Sequence, residues 1–237
     1  MRRQVPADSL LCSVVVPVYN GATVIERCLD ALGCQSVSST RYEIIVVDDG
    51  STDGSAAIAE ARDRVRCIRV DHAGVSAARN RAIVEARGEW LAFLDADDRW
   101  LPGKLAHQLE AAQARPDVAI FLGVKRILMD GPAQEWYDGP GDGEELASYE
   151  PSVWLVKRSA FEQAGPFDVT MAIGEDTDWL ARASDAGLRM HVCEQVLTER
   201  RIHAGNASGV RYDRRGLMLG ILRDSVRRKR PVTGEAP

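Results

Sequence analysis

Apolar residues follow two alternating rhythms through the first half of the chain. Ser13-Val14-Val15-Val16-Pro17-Val18 and Glu43-Ile44-Ile45-Val46-Val47-Asp48 are apolar at successive positions, without the alternation of a sheet wetted on one side. Such runs predict strands buried on both faces. Between them Val24, Ile25, Cys28, Leu29 and Leu32 recur at helical spacing, and Gly33 supplies a stop. The rhythm repeats as a helix from about Asp53, a short strand over 66–70, and a helix with Val75, Ala78, Ala82, Ile83 and Ala86 on its apolar face, closed by Gly88. A strand over Trp90-Leu91-Ala92-Phe93-Leu94 and a helix from near Pro102, burying Leu105, Leu109 and Ala112, complete it. This alternation predicts an α/β fold: a Rossmann-like, mostly parallel central sheet with helices on both faces and a ligand site at the strands' carboxyl ends.

After Val118 the pattern loosens. It predicts a long strand over 118–129, a loop over the Gly-, Pro- and acid-rich 130–150, and a strand at Trp154-Leu155-Val156. A short helix over 159–164, a turn at 166–168 and a helix over 175–186 follow. Two late strands over 189–193 and 196–202, a loop over 205–209 and a basic helix over 213–229 close the chain. The expected organisation is a flexible tail (1–12), one domain (13–212) in halves of about 13–115 and 116–212, and a basic C-terminal helix and tail (213–237).

Composition adds boundaries to this picture. A chain of 237 residues, 45% hydrophobic and 27% charged, can bury a sizeable core. Its net charge of −5 argues against nucleic acid as the main partner. Ten Lys/Arg and two Asp lie between Arg200 and Arg230, so that stretch carries +8 and the remainder −13. LMLGILRDSVRRKR could dock on an anionic membrane surface. The expected alternative packs Leu217, Leu219, Ile221 and Leu222 on the body and leaves Arg227 to Arg230 solvated. Five cysteines without a CxxC pair suggest a reducing compartment. No signal-peptide pattern or long apolar run is present, so the expectation is a soluble, cytoplasmic protein, at most peripheral at a membrane.

The sharpest chemical signal is Trp90 to Asp98, where an apolar strand delivers Asp95, Asp97 and Asp98. Three close carboxylates cannot all stay charged in a strand interior, so they belong at its carboxyl end with a cation, or form an acidic turn with Asp98 starting a helix. Hard divalent ions suit such oxygen ligands. Asp49-x-Ser51-x-Asp53-Gly54 with Glu60 nearly fits an EF-hand loop, but EIIVV before it is a strand where a helix is required. Ser51, Thr52 and Asp53 read better as helix caps. Glu175 and Asp176 open an apolar helix, either as reactive acids or as favourable partners of its dipole.

VVVPVYNG (14–21), VVDDGSTDGS (46–55), FLDADD (93–98) and GEDTDWLARASDAG (174–187), strengthened by HAGVSAARN (72–80), together resemble the family 2 glycosyltransferases over roughly 13–208. The resemblance implies a GT-A fold with a nucleotide-binding half (13–115) and an acceptor half (116–212). It also implies inverting, non-processive transfer of one sugar from a nucleoside-diphosphate sugar, UDP-linked, to an unidentified acceptor, with Mn²⁺ or Mg²⁺ as cofactor. That acceptor could be a saccharide, a lipid-linked group, a peptide or a small molecule. By the same likeness Pro17, Tyr19 and Asn20 contact the base, and Asp48 or, preferentially, Asp49 hydrogen-bonds base or ribose. Arg79, beside Asn80, suits the diphosphate. Asp95 holds the ribose or a metal-bound water, and Asp97 the metal. Asp98 shares that metal or caps the next helix. His203 completes the metal or diphosphate site, with Arg200 and Arg201 as counter-charges. Asp176 is the base that takes the acceptor's proton, and Glu175 binds or orients the acceptor. Trp154 either borders the pocket or belongs to the core. His72 could assist, and Asn206-Ala207-Ser208, a sequon in form, reads as a loop. The QxxRW motif of processive synthases is absent. A sugar nucleotidyltransferase would carry a glycine- and base-rich loop after the first strand, where this chain has PVYNGATVIE. A non-catalytic binding protein on the same fold would not need every acid intact.

Overall fold

In the computed structural model, which describes residues 10–131, 137, 139–204, 206 and 214–229, the expected alternation takes shape. The first half forms β1 (Cys12–Val18), α1 (Ile25–Gly33), β2 (Tyr42–Asp48), α2 (Ser55–Glu60), β3 (Val65–Arg69), α3 (Val75–Glu85) and β4 (Trp90–Phe93). Then come β5 (Arg99–Trp100), α4 (Lys104–Ala114), β6 (Ile120–Met129), β7 (Glu145–Ser148), β8 (Leu155–Lys157) and α5 (Arg158–Ala164). The last are α6 (Glu175–Asp185), β9 (Met190–Ile202) and α7 (Arg214–Lys229). Among the described residues the strands join one sheet, ordered β3-β2-β1-β4-β8-β6-β9-β5, with β7 on β6. β1 to β4 run parallel, as do β6 and β9, while β8, β5 and β7 pair antiparallel.

The unbroken apolar runs are explained by burial on both sides. Val14, Val16, Val18, Ile44 and Val46 face the layer that holds Ile25, Cys28, Leu29 and Leu32 of α1 and Leu105, Leu109 and Ala112 of α4. Val15, Ile45 and Val47 face Ala78 and Ala82 of α3, Phe161 of α5 and Trp179 and Ala183 of α6. β1 lies between β2 and β4, so the chain reverses direction across the sheet there, which is where ligands enter such folds. Pairing of β1 with β4 ends at Val15↔Phe93. Pro17, lacking an N–H, falls beyond that stop, where no ladder bond is lost.

Several elements depart from expectation. The two late strands are one, β9, whose ladder to β6 slips around Leu122 and Val124 and so absorbs the polar Glu194-Gln195. The loop predicted over 130–150 contains β7, an edge strand that leans on β6. Leu11 and Cys12, assigned to the tail, are buried, and Cys12 opens β1; residues 1–9 lie outside the described residues. Gly88 does not cap α3, which ends at Glu85; a Cβ there would stand 2.6 Å from the Cys12 carbonyl carbon, so glycine lets the chain cross β1. Leu219 and Leu222 of α7, expected on the body, are 67% and 56% exposed, whereas Ile221 is buried.

Trp154 belongs to the core. It is fully buried among Phe93, Phe167 and Trp179, and its Nε1 donates to the Tyr149 carbonyl at 2.9 Å. Its own carbonyl accepts from Lys104 Nζ at 2.8 Å, and that fully buried amine sits 3.8 Å above the Trp100 ring. Lys104 has no carboxylate partner among the described residues, and burial pushes its pKa down to about 7. Between pH 7 and 10 the unfolded chain therefore holds one proton more than the folded chain, so stability rises with pH by up to about 1.4 kcal/mol per unit. Against Lys104→Met, which cannot titrate, the parent should gain about 2 kcal/mol between pH 7 and 9 in urea unfolding. Parallel stability curves for the two proteins would show that the ammonium stays charged in the fold.

Candidate active site

At the carboxyl ends of β1 and β2, two turns are laced together. Asn20 adopts a left-handed φ of 48°, its N–H donates to Ser51 Oγ at 2.8 Å and its Oδ1 accepts from Thr52 N–H at 2.9 Å. Gly21 N–H donates to Ser55 Oγ and Ala22 N–H to Asp53 Oδ2. Asn20 thus spends its amide oxygen on the turn, not on a base, and Pro17 is buried within β1. Ser51 and Asp53 cap the neighbouring turn, while Gly54 stands at the N-cap of α2. The strand β2 before this loop excludes an EF-hand.

Asp48 and Asp49 have different partners. Asp49 is buried, with its oxygens accepting from Ala73 and Gly74 N–H at 2.9 Å each and lying 2.8 Å from His72 Nδ1. Asp48 accepts from Ser51 N–H through Oδ1, and its Oδ2 is buried without a hydrogen-bond partner. An orphaned acceptor of that kind costs free energy unless something donates to it. Beside it Tyr19, half exposed, stacks on His72 with ring centres 4.1 Å apart.

Arg79 and Asn80 do not reach toward solvent. Asn80 is a clamp: Nδ2 donates to the Phe167 carbonyl at 2.8 Å and Oδ1 accepts from Phe167 N–H at 2.9 Å. Arg79 is 3% exposed and forks between Asp95 Oδ1 at 2.7 Å and Glu175 Oε1 at 2.6 Å. Burial opposes the guanidinium's charge, but the two carboxylates outweigh it and hold its pKa above the ordinary value. Nη1 and Nη2 each take one carboxylate, so Arg79 braces the two acids, while its Nε is buried without a partner. Glu175, with that bond at 11% side-chain exposure, is likewise held rather than presented.

The three aspartates after β4 diverge in chemistry. Asp98 is buried, accepts from Arg201 N–H at 3.2 Å, and is pushed well above the carboxylate range by burial and by the charges of Asp97 and Asp95. It does not cap α4, which starts at Lys104. Burial raises Asp95 as well, with Asp97 adding to it and Arg79 opposing. Burial also works on Asp97, yet hydrogen bonds from His203 and Asn206 outweigh it and keep that carboxyl below its usual range. Asp97 Oδ2 accepts from Asn206 Nδ2 at 2.7 Å and lies 3.4 Å from His203 Nε2. A cleft of about 380 Å³ opens beside Asp97 and Asp98, walled by Arg27 of α1 and Arg201 of β9.

On the far side, Asp176 is half-buried at the start of α6, where burial and then the neighbouring Glu175 charge push its pKa up to about 6. Arg200 pairs with Glu150, which also receives Lys125, and Arg201 pairs with Asp130. Of the residues singled out from the sequence, His203 lies beside Asp97 and Arg201 lines the same cleft, while Arg200 and Asp176 both feel the charge of Glu150. The sequence reading missed Glu150, Lys125 and Asn206. Asn206 was read as a loop residue, yet it is buried and bonds Asp97, the Arg201 carbonyl and His203 N–H. Its place three residues after His203 was the available signal.

A family model described as "Glycosyl transferase family 2" matches residues 13–170. Glycosyltransferase AglE of Haloferax volcanii is 30% identical over 210 residues, covering 78% of this chain and 65% of that protein. The putative teichuronic acid biosynthesis glycosyltransferase TuaG of Bacillus subtilis is 35% identical over 136 residues, 55% of this chain and 53% of its own. The chain thus spans between half and two-thirds of the length of these two relatives. Among solved structures, S. aureus TarS 1-349 in complex with UDP-GlcNAc superposes with a TM-score of 0.73 at 21% identity, covering 92% of this chain and 66% of that one. Mannosyltransferase PcManGT from Pyrobaculum calidifontis, in complex with GDP-Man and Mn²⁺, superposes with a TM-score of 0.71 at 22% identity, covering 95% and 65%. At those identities the likeness is one of fold, and the fold is GT-A.

Removing Arg79 strands the buried Glu175 carboxylate and takes the cation from Asp95, whose side chain is 35% exposed. Arg79→Met should cost about 3–5 kcal/mol in chemical denaturation, and Arg79→Met/Glu175→Gln should recover part of that loss. Additive losses in this cycle would show that Arg79 and Glu175 do not act as a pair.

Proposed function

The chain belongs to glycosyl transferase family 2, and from that premise we propose that it moves one sugar from a nucleoside-diphosphate sugar, UDP-linked, to an acceptor, inverting the anomeric carbon. The observation that carries this reading is the fork of Arg79 between Asp95 and Glu175, which joins the β4 acids to the helix that begins with Asp176. Donor acids and a candidate base thereby belong to one braced unit.

In this reading residues 13–115 hold the nucleotide and 116–212 the acceptor. Tyr19 offers a ring face to the base, and the orphaned Asp48 Oδ2 accepts from a base N–H or ribose hydroxyl. Asp95 keeps one oxygen for the donor, since Arg79 takes only Oδ1. Asp97 and His203 would hold Mn²⁺ or Mg²⁺. The fit is specific in kind: Asp97 is kept ionised beside an imidazole, and no three His, Cys, Asp or Glu side chains converge into a cage among the described residues. Two side chains with the remaining ligands drawn from substrate phosphates is the usual arrangement for such ions. When bound, the ion supplies charge stabilisation to the departing diphosphate.

Asp176 takes the acceptor's proton as the acceptor attacks. A carboxyl with a pKa near 6 is ionised at neutral pH and still a stronger base than an ordinary aspartate. Glu175 fixes the helix start through Arg79, and Arg200 and Lys125 offset negative charge around the site. The acceptor is not nucleic acid in this reading. No described helix is long and apolar enough to cross a membrane.

Activity against a UDP-sugar panel with Mn²⁺ or Mg²⁺ should fall about tenfold per pH unit below 6, because protonation removes the base. A flat profile between pH 5 and 7.5 would move the base elsewhere. Asp176→Asn should retain donor binding in calorimetry and lose at least about a hundredfold in turnover, the usual scale of a general base. Asp97→Ala should instead abolish the metal dependence of donor affinity, and unchanged Mn²⁺-linked binding in that variant would remove Asp97 from the cation site.

A further inference from the structure

α7 has two faces with different fates. Its inner face is pinned: Ser225 Oγ donates to Asp185 Oδ1 and Arg228 Nε to Asp185 Oδ2, each at 2.7 Å, and Lys229 Nζ lies 3.0 Å from the same carboxylate. Ile221 is buried on that side, and Leu217 lies against Gly174, where a Cβ would stand 2.5 Å from Leu217 Cδ2. With rotation fixed, the opposite face is fixed as well. It presents Leu219, Leu222 and Val226, 67%, 56% and 55% exposed, along a shallow groove shared with Arg223 and Arg227. These positions fall at helical spacing on one stripe.

We propose that this stripe is an interfacial docking surface that lies on an anionic lipid bilayer. The charge distribution favours that occupant: α7 carries six Lys/Arg and one Asp, and although Arg228 and Lys229 are paired with Asp185 on the inner face, Arg223 and Arg227 line the outer stripe of a chain whose net charge is −5. An anionic surface therefore attracts the helix, repels the body and orients the protein with α7 downward. Arginines interleaved with leucines on one face suit a headgroup boundary, where aliphatic parts sink and guanidiniums meet phosphates. A second copy of the chain is the poorer occupant. A face of 16 residues is roughly 24 Å long and about 10 Å wide, on the order of 250 Å², well short of the ~800 Å² per partner of a stable dimer. The inference stands apart from the transferase reading, and its test uses no activity.

The full chain is cosedimented with vesicles of phosphatidylcholine alone and of phosphatidylcholine with 30 mol% phosphatidylglycerol, a fraction set at about that of an anionic leaflet. Binding is expected to the anionic vesicles only, weakening about tenfold when salt rises from about 0.1 to 0.5 M. Leu219→Glu/Leu222→Glu and Arg223→Glu/Arg227→Glu should each weaken it at least about tenfold, with thermal unfolding unchanged because all four side chains are outward. Three results would overturn the proposal: no binding to anionic vesicles, binding that Leu219→Glu/Leu222→Glu leaves intact, or a dimer in sedimentation equilibrium that this variant dissociates. The last would assign the stripe to a second copy.

Discussion

One buried cation organises the reactive end of this molecule. Arg79, on α3, donates to an aspartate at the end of β4 and to a glutamate at the start of α6, elements that are remote in sequence and that approach from different directions. Glu175 would not tolerate its surroundings without a counter-charge, and the buried guanidinium would not tolerate its own without the carboxylates. Each member is therefore stable only if the other two elements are in place. The planar fork supplies two directed bonds, which a lysine's point charge would not.

The acids around this brace are differentiated by their neighbours, although the sequence writes them as near-repeats. Asp98 shares its short stretch with Asp97, yet burial and neighbouring charge push Asp98 up while hydrogen bonds hold Asp97 below the usual carboxylate range. The difference lies in what approaches from β9 and beyond: a backbone N–H for Asp98, an imidazole and an amide for Asp97. Asp48 and Asp49 are likewise set apart by their surroundings: Asp49 accepts from two backbone N–H groups and lies beside an imidazole, whereas Asp48 keeps one buried oxygen without a partner.

Much of the frame was legible in the sequence because it is local. Unbroken apolar runs gave β1 and β2, helical spacing gave α1, α3 and α4, and the clustered acids marked the sheet's rim. What escaped was decided by partners far along the chain. Nothing near Arg79 announces Glu175, 96 residues away, so an exposed-looking helix arginine became a buried brace. Trp154 looked equally suited to pocket and core until three other aromatic rings enclosed it. Polar Glu194-Gln195 suggested a break in what is one strand, because a ladder irregularity can house them without ending the pairing. Asn206 carried a sequon's form, while its amide is already spent on Asp97.

Leu217 resting on Gly174 ties the molecule's last helix to the first turn of α6. Gly174 has a φ of +82° at the N-cap of α6, and an added Cβ would meet the end of the Leu217 side chain, so the α6 start and α7 are packed directly on each other. The family match ends at residue 170, four positions short of that contact. In the reading proposed above, a tilt of α7 is therefore felt at the α6 start as a change in the aim of Asp176.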